Sequence, residues 1–542
     1  MAQEHKEREL FWADQKAEEI VTRKRYHYLE EEIKPFKEYV VKTSASISGV
    51  LHIGRLSDTI RGESVVRALL DKGHLSRLIW VAEDMDPLRK VPEGVPKPIE
   101  FEGYIGKPVT DIPDPWGCHD TYAAHHVEKY LEVLHEFVEV EMIRYSMMEE
   151  YRKGAFKPFI KKMLENLEAV IEIQNRYRDK NNPLRKGWAP WTPVCKNCGK
   201  IITPQVHDFK DGKLPYVCRD YAFESTTALG CGYEGEANPL RDEGKLMWKG
   251  EWASQWALWK VCSEGAGKEY AVPNSAFYVN GELCERILGF PMPVPIFYEH
   301  IMIDGKKMSA SLGNVIYPHD WLKVAPPEIL RFLYNKKLMK TRSFSWSDLP
   351  NLYDEYDRAA EGYWSGSLEP EQRRLFEVSH LKKPLSLVGL QFSTAAFISS
   401  VFQEEETFLK SVKRTGHYSR ERHEAILKRA AHARVWVREH GEGMPSILGD
   451  PSGISLVEAQ KVLLQRLGAW LEEGDRTEDE IQNYIYGAAK ELFLPTKKAF
   501  EAVYLSILGE ERGPKASTLI AALDVAWVID RFKYNYKTPF QR

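Results

Sequence analysis

Apolar positions change their period several times along the chain, and each change marks a new element. The opening stretch FWADQKAEEIVTRKRYHYLEEE is rich in helix formers with salt-pair spacing, which predicts a helical extension over residues 1–38. Tyr39-Val40-Val41 is then a short β-like run. It is followed by the small-residue loop TSASISG, a helix-like stretch from His52 to about Leu70, and a second apolar run, Leu78-Ile79-Trp80-Val81. Strand, loop, helix and strand in this order predict a βαβ unit, the building block of a parallel sheet. Residues 87–117 are broken up by Pro, Gly and aromatics and predict an irregular loop. From Tyr122 to about Tyr177 the period is helical, and residues 187–245 are irregular again. PVPIFYEHIMI reads as a strand that ends at the loop DGKKMSASLGN. Beyond about residue 320 nearly every segment is helical, with capping boxes at Ser455/Glu458 and Thr477/Glu480. The expected layout is a Rossmann-like α/β domain over residues 39–325, interrupted by an insertion at about 187–245, and an all-helical region over 326–542.

A chain of 542 residues has room for about three or four domains. At 43% hydrophobic and 28% charged residues it is balanced like a globular protein, which excludes global disorder and a fibrous repeat. No stretch reaches the roughly 18 apolar residues of a membrane span. The start, MAQEHKEREL, has no apolar leader core, so a soluble cytoplasmic protein with no membrane partner is expected. A formal net charge of −4 argues against a uniformly basic, sequence-blind nucleic-acid binder, yet leaves room for a local basic face. Basic and aromatic residues mix in RKGAFKPFIKK, NRYRDKNNPLRK and the terminal RFKYNYKTPFQR. Such stretches either follow phosphates and stack on bases or form solvated helix faces.

The seven cysteines are too few for a disulfide framework. Cys195, Cys198, Cys218 and Cys231 have the spacing C-x2-C-x19-C-x12-C. Two thiolates of a C-x2-C can grip one side of a tetrahedral structural Zn²⁺ while a distant pair closes it. Free thiols, or His207 in place of one cysteine, are the other arrangements. Cys118, Cys262 and Cys284 read as buried small apolar residues.

The segment SGVLHIGRL sits where the first strand hands over to its helix. In an open parallel sheet, ligands bind at the carboxyl ends of the strands, where a helix start offers free N–H groups to phosphate. Gly49 and Gly54 allow close approach, and His52 can donate to a phosphate oxygen or be satisfied by its own backbone. Lys306 and Lys307 lead Met308-Ser309-Ala310-Ser311, on a loop that can either close over a polyphosphate or remain a solvated turn.

Together these two segments resemble the HIGH and KMSKS signatures of class I aminoacyl-tRNA synthetases. Most of the chain is similar to the class I lysyl-tRNA synthetases, the mainly archaeal type. The similar segments are WAD from Trp12, KVPEGVP from Lys90, DIPDPWGCH from Asp111, EGAGKE from Glu264, NLYDEYD from Asn351 and ERGPKAS from Glu511. The resemblance implies ATP-dependent ligation of L-lysine to tRNA(Lys) through a lysyl-adenylate, with Mg²⁺ accompanying ATP and transfer to the terminal 2′-OH. It further implies that Gly49, His52, Gly54, Lys306, Lys307, Met308, Ser309 and Ser311 hold ATP, with His52 and Lys307 as the catalytic pair. Ser44, Ser46, Asp58, Trp248, Tyr270 and Tyr298 are the matching amino-acid pocket, and the helical half resembles a helix-cage region that contacts the stem and anticodon. Such chemistry needs positioning and charge stabilisation, with no covalent nucleophile on the protein.

The chain departs from the family pattern in several places. Ala310 replaces the second lysine of KMSKS, and Arg55, either a phosphate fork or a solvent-reaching side chain, ends the first motif. Ser44-Ala45-Ser46-Ile47-Ser48-Gly49 replaces G-I-T-P-S-G, and Glu269-Tyr270 replaces D-H. Asp58 replaces a glutamate; it is either the partner of the substrate ammonium or a surface carboxylate. One methylene is worth only about 1–3 kcal/mol, so ornithine or arginine stays open as substrate. A ligase for another amino acid or small-molecule acceptor and a non-catalytic tRNA-binding paralogue are the rival readings.

Overall fold

The computed structural model describes residues 10–47, 49–92, 94–308, 314–381, 387–402, 404–442, 444 and 446–536. The chain forms two compact units. One runs up to Trp321 and adds Leu330–Phe344 and Leu368–Lys382; the other holds Leu322–Ile329, Ser345–Ser367 and the chain from Lys383.

The first unit begins with helix α1 (Trp12–Thr22), shorter than the expected helical extension; residues 23–38 contain no helix. Ala13, Ala17 and Ile20 of α1 are buried in the same core cluster as Val41, Val65 and Leu69. The sheet follows as β1 (Tyr39–Ser46), helix α2 (Ile53–Asp71), β2 (Ser76–Glu83), helix α3 (Tyr122–Phe137) and β3 (Met142–Ser146). Helix α4 (Trp248–Trp259), β4 (Val261–Gly267) and β5 (Val294–Tyr298) complete it. All five strands are parallel, in the order β5-β4-β1-β2-β3. The βαβ unit is where the hydrophobic pattern put it. The continuous helix expected from Tyr122 to Tyr177 is instead broken by β3, a five-residue strand too short to reset the apolar period. Val40, Val41, Leu78, Ile79 and Val81 are buried between the helical layers, each contributing about 1.5–3 kcal/mol.

The order of this sheet reverses between β1 and β4. That crevice, beyond the carboxyl ends of the strands, is where open α/β sheets accept ligands. Helix α2 starts there and is buried over most of its length, so that three of its six charged residues, Asp58, Arg61 and Glu63, lie inside the protein.

The second unit is helical. It includes α5 (Leu349–Ser365), α6 (His423–His440), α7 (Glu458–Glu472), α8 (Glu478–Glu491) and α9 (Thr496–Leu508). Thr477 and Glu480 form the expected reciprocal cap on α8. Helix α7 starts at a different cap: its N-cap is Val457, whose N–H is accepted by Gln460, leaving Ser455 upstream. Within NLYDEYD, Tyr353 is buried against Phe392 and Asp357 binds Arg429 with both oxygens, so this segment packs the helical core. Among the described residues no helix is long and apolar enough to cross a membrane.

Candidate active site and metal centres

A cavity of about 610 Å³ opens at the carboxyl end of the sheet. Ser44 and Ser46 of β1, Glu83 of β2, the end of β4 and Tyr298 of β5 supply its floor, and His52, Gly54 and Asp58 of α2 one wall. Lys307 and Met308 close it from the opposite motif. The two signature segments, more than 250 residues apart, therefore face one space. Ser309, Ala310 and Ser311 lie outside the described residues.

His52 is the N-cap of α2: its Nδ1 accepts the Gly54 N–H at 3.1 Å. Burial, assisted by Arg55, lowers its pKa to about 4, so the ring is neutral. With Nδ1 accepting, the proton sits on Nε2, which makes His52 a neutral donor. Gly54 allows close approach: a Cβ there would meet the His52 ring at 2.7 Å and the Met308 methyl at 2.9 Å, so that one of these side chains would have to move. Gly49 occupies the preceding turn with φ 153° and Lys306 is exposed; neither lines the cavity.

Asp58 is buried in the cavity wall, which removes the surface-carboxylate reading. It accepts the Ser44 N–H at 3.2 Å and the Tyr298 hydroxyl at 3.3 Å. Burial, and then the nearby Glu264, push its pKa up to about 7. Trp248 stacks on Trp252 at 4.8 Å, and Tyr270 meets Trp252 edge-on at 5.4 Å, giving the pocket an aromatic side.

The floor also carries a charge network whose pairing the local sequence pattern does not announce: Glu83 and Glu264 line the cavity, with Lys42 buried behind them. Lys42, fully buried in β1, donates to Glu264 at 2.6 Å and lies 3.8 Å from Glu83. Burial opposes its charge, but Glu264 and Glu83 outweigh this and raise its pKa. Glu264 also accepts the indole N–H groups of Trp252 and Trp256, and Gln255 donates to both oxygens of Glu83. The signal was present: a lysine inside an apolar strand demands a buried carboxylate.

The four clustered cysteines do meet, with their sulfurs within 4.8 Å of one another. Cys195–Cys231 and Cys198–Cys218 are both 3.7 Å apart. Four sulfurs around one Zn²⁺ at about 2.3 Å stand about 3.8 Å from each other, so the residues fit that ion. Gly199, at φ 71°, closes the knuckle by donating its N–H to the Cys195 carbonyl. His207 turns instead to the Pro215 carbonyl. Cys118 corrects an expectation: it is exposed and lies 3.1 Å from His119 and 3.2 Å from His125. With Asp114 these form a second group able to hold a metal ion. Asp114 accepts the N–H groups of Trp116, Cys118 and His119, which fixes its carboxylate within the cluster. Of the two aromatics in RKGAFKPFIKK, Phe156 is buried in the core and Phe159 is partly buried against it.

Comparison with known proteins decides the family. The model described as "tRNA synthetases class I (K)" matches residues 10–382. The chain belongs to this family. Among relatives of this class I synthetase, a lysine–tRNA ligase of Methanocaldococcus jannaschii is 32% identical over 551 residues, covering 96% of this chain and 99% of that protein. One from Thermococcus kodakarensis is 32% identical over 552 residues, with 97% and 99% covered. One from Methanosphaera stadtmanae is 29% identical over 551 residues, with 96% and 99% covered.

Proposed function

We propose that the chain activates L-lysine with ATP and transfers it to tRNA(Lys). The observation that carries this reading is the joint wall of His52, Met308, Lys307 and Asp58 around one cavity, supported by full-length similarity to proteins named lysine–tRNA ligases. The lysine carboxylate attacks the α-phosphate of ATP, pyrophosphate leaves, and the adenylate is attacked by the terminal 2′-OH of the tRNA. His52 donates from Nε2 to a phosphate oxygen as charge builds there, and Lys307 neutralises the departing pyrophosphate. Mg²⁺ enters with ATP as part of the substrate. Gly54 lets the nucleotide approach the start of α2; Ser309 and Ser311 complete the ATP site by their match to the family motif, while Gly49 and Lys306 stand outside the cavity wall.

Asp58 takes the substrate ε-ammonium, with Tyr298 and Ser44 holding its carboxylate. Ser46, Trp248 and Tyr270 enclose the rest of the amino acid. Cys195, Cys198, Cys218 and Cys231 would hold a structural Zn²⁺ that orders the insertion, and Asp114, Cys118, His119 and His125 have the donor types for a second. Neither set leaves an open position for catalysis. The helical region over 326–542 supplies stem and anticodon contacts. ATP–pyrophosphate exchange across the twenty amino acids, with and without tRNA, tests the reading. Lysine-dependent exchange is expected; exchange with another amino acid only, or with none, would overturn it.

A further inference from the structure

The junction between α8 and α9 carries an aromatic residue that folding alone does not explain. Phe493 is 97% exposed and has φ 48°. Glycine or asparagine usually occupies such a left-handed position after a helix, because a Cβ crowds the next carbonyl. The ring makes no aromatic contact among the described residues; the backbone turn is held by the Phe493 and Leu494 N–H groups, which donate to the Lys490 and Ala489 carbonyls, so it is the exposure of the ring that calls for a partner.

Its surroundings point to a ligand class. Tyr486, 48% exposed, lies one helical turn before Lys490 on α8 and meets Phe500 of α9 edge-on at 5.3 Å. Lys490 and Lys497 are exposed, flank Phe493 in the sequence and have no carboxylate partner among the described residues. Nearby cations are by contrast engaged: Lys498 with Glu501, and Arg466 with Glu491. An exposed ring flanked in the sequence by two uncompensated ammonium groups matches an unpaired stretch of RNA, whose bases stack on rings and whose phosphates follow lysines.

We propose that Phe493 is a stacking platform for an unpaired base of the tRNA, with Lys490 and Lys497 on the adjoining phosphates. The proposal rests on the tRNA-charging reading above.

The test uses full-length protein, a tRNA(Lys) transcript, and the variants Phe493→Gly, Phe493→Trp and Lys490→Glu/Lys497→Glu. Phe493→Gly should weaken transcript binding and raise the tRNA KM about tenfold. Lysine-dependent pyrophosphate exchange should be unchanged, and the unfolding midpoint should rise because the backbone strain is relieved. Phe493→Trp should bind as tightly as the wild type. The double charge reversal should lower the slope of log affinity against log salt by about one to two. Wild-type affinity in Phe493→Gly would overturn the proposal, and so would weaker binding accompanied by lower stability, which assigns the ring to packing. A change in self-association with tRNA affinity intact would assign the face to a protein contact and also overturn it. Binding is read without catalysis, so missing exchange in the wild type would sink the activity reading while leaving this comparison readable.

Discussion

Asp58 and Glu63 share one buried helix, yet the protein treats them in opposite ways. Glu63 is saturated: it accepts the Glu139 and Val140 N–H groups and pairs with the buried guanidinium of Arg331. Asp58 has two long hydrogen bonds and no ion-pair partner among the described residues, while the nearby Arg61 lies over the Tyr298 ring instead. A buried carboxylate with every lone pair engaged is architecture. One left short of a cation on the wall of a cavity is a binding site awaiting its charge.

The sharpest test of that contrast is paired substitution. Glu63→Gln leaves Arg331 uncompensated and should cost about 3–5 kcal/mol of stability in denaturant unfolding, with the lysine KM of the folded enzyme changed less than about twofold. Asp58→Asn should do the reverse, raising the lysine KM about 100-fold with the ATP KM nearly fixed. Its unfolding midpoint at pH 8 should hold or rise. The folded pKa of Asp58 lies above its unfolded value, so its contribution to stability is present at low pH and lost as pH climbs through about 7. Asparagine removes that loss.

On the nucleotide side of the cavity, His52→Ala and Lys307→Ala should each slow adenylate formation more than about tenfold in single-turnover assays, without moving the lysine KM comparably. The smallest expected effect is on pH. A substrate ammonium keeps its charge from pH 6 to 8, whereas Asp58 gains a proton below about 7. The wild-type lysine KM should therefore rise about fivefold from pH 7 to pH 6, and Asp58→Asn should flatten that dependence.

What could be read from the sequence follows the reach of each physical signal. The two signature segments are visible because short fixed residue patterns mark backbone that touches phosphate, and Asp58 is located by its match to the family's acidic position, where an ammonium needs a carboxylate. The cysteine cluster was visible in its spacing. The strand β4, VCSEGAG, was hidden because its small and polar residues lack strand character; they are there to let the cavity open beside Asp58, and a Cβ at Gly265 would strike its carboxylate at 2.1 Å. Lys42 carries no local signal of its pairing, because its partner Glu264 stands 222 residues away. Cys118 reads as a lone thiol only until Asp114, His119 and His125 are placed around it at ligand spacing. The missed features are long-range pairings, which local periodicity does not carry.

Asp58 waits, partly protonated, for a ligand cation. Titration calorimetry of lysine binding at pH 6.5, repeated in buffers of different ionisation enthalpy, measures this directly. Release of about three quarters of a proton per lysine bound is predicted for a carboxyl of pKa about 7 that ionises on binding. Lysine binding with no proton release, or the same release in Asp58→Asn, would contradict it.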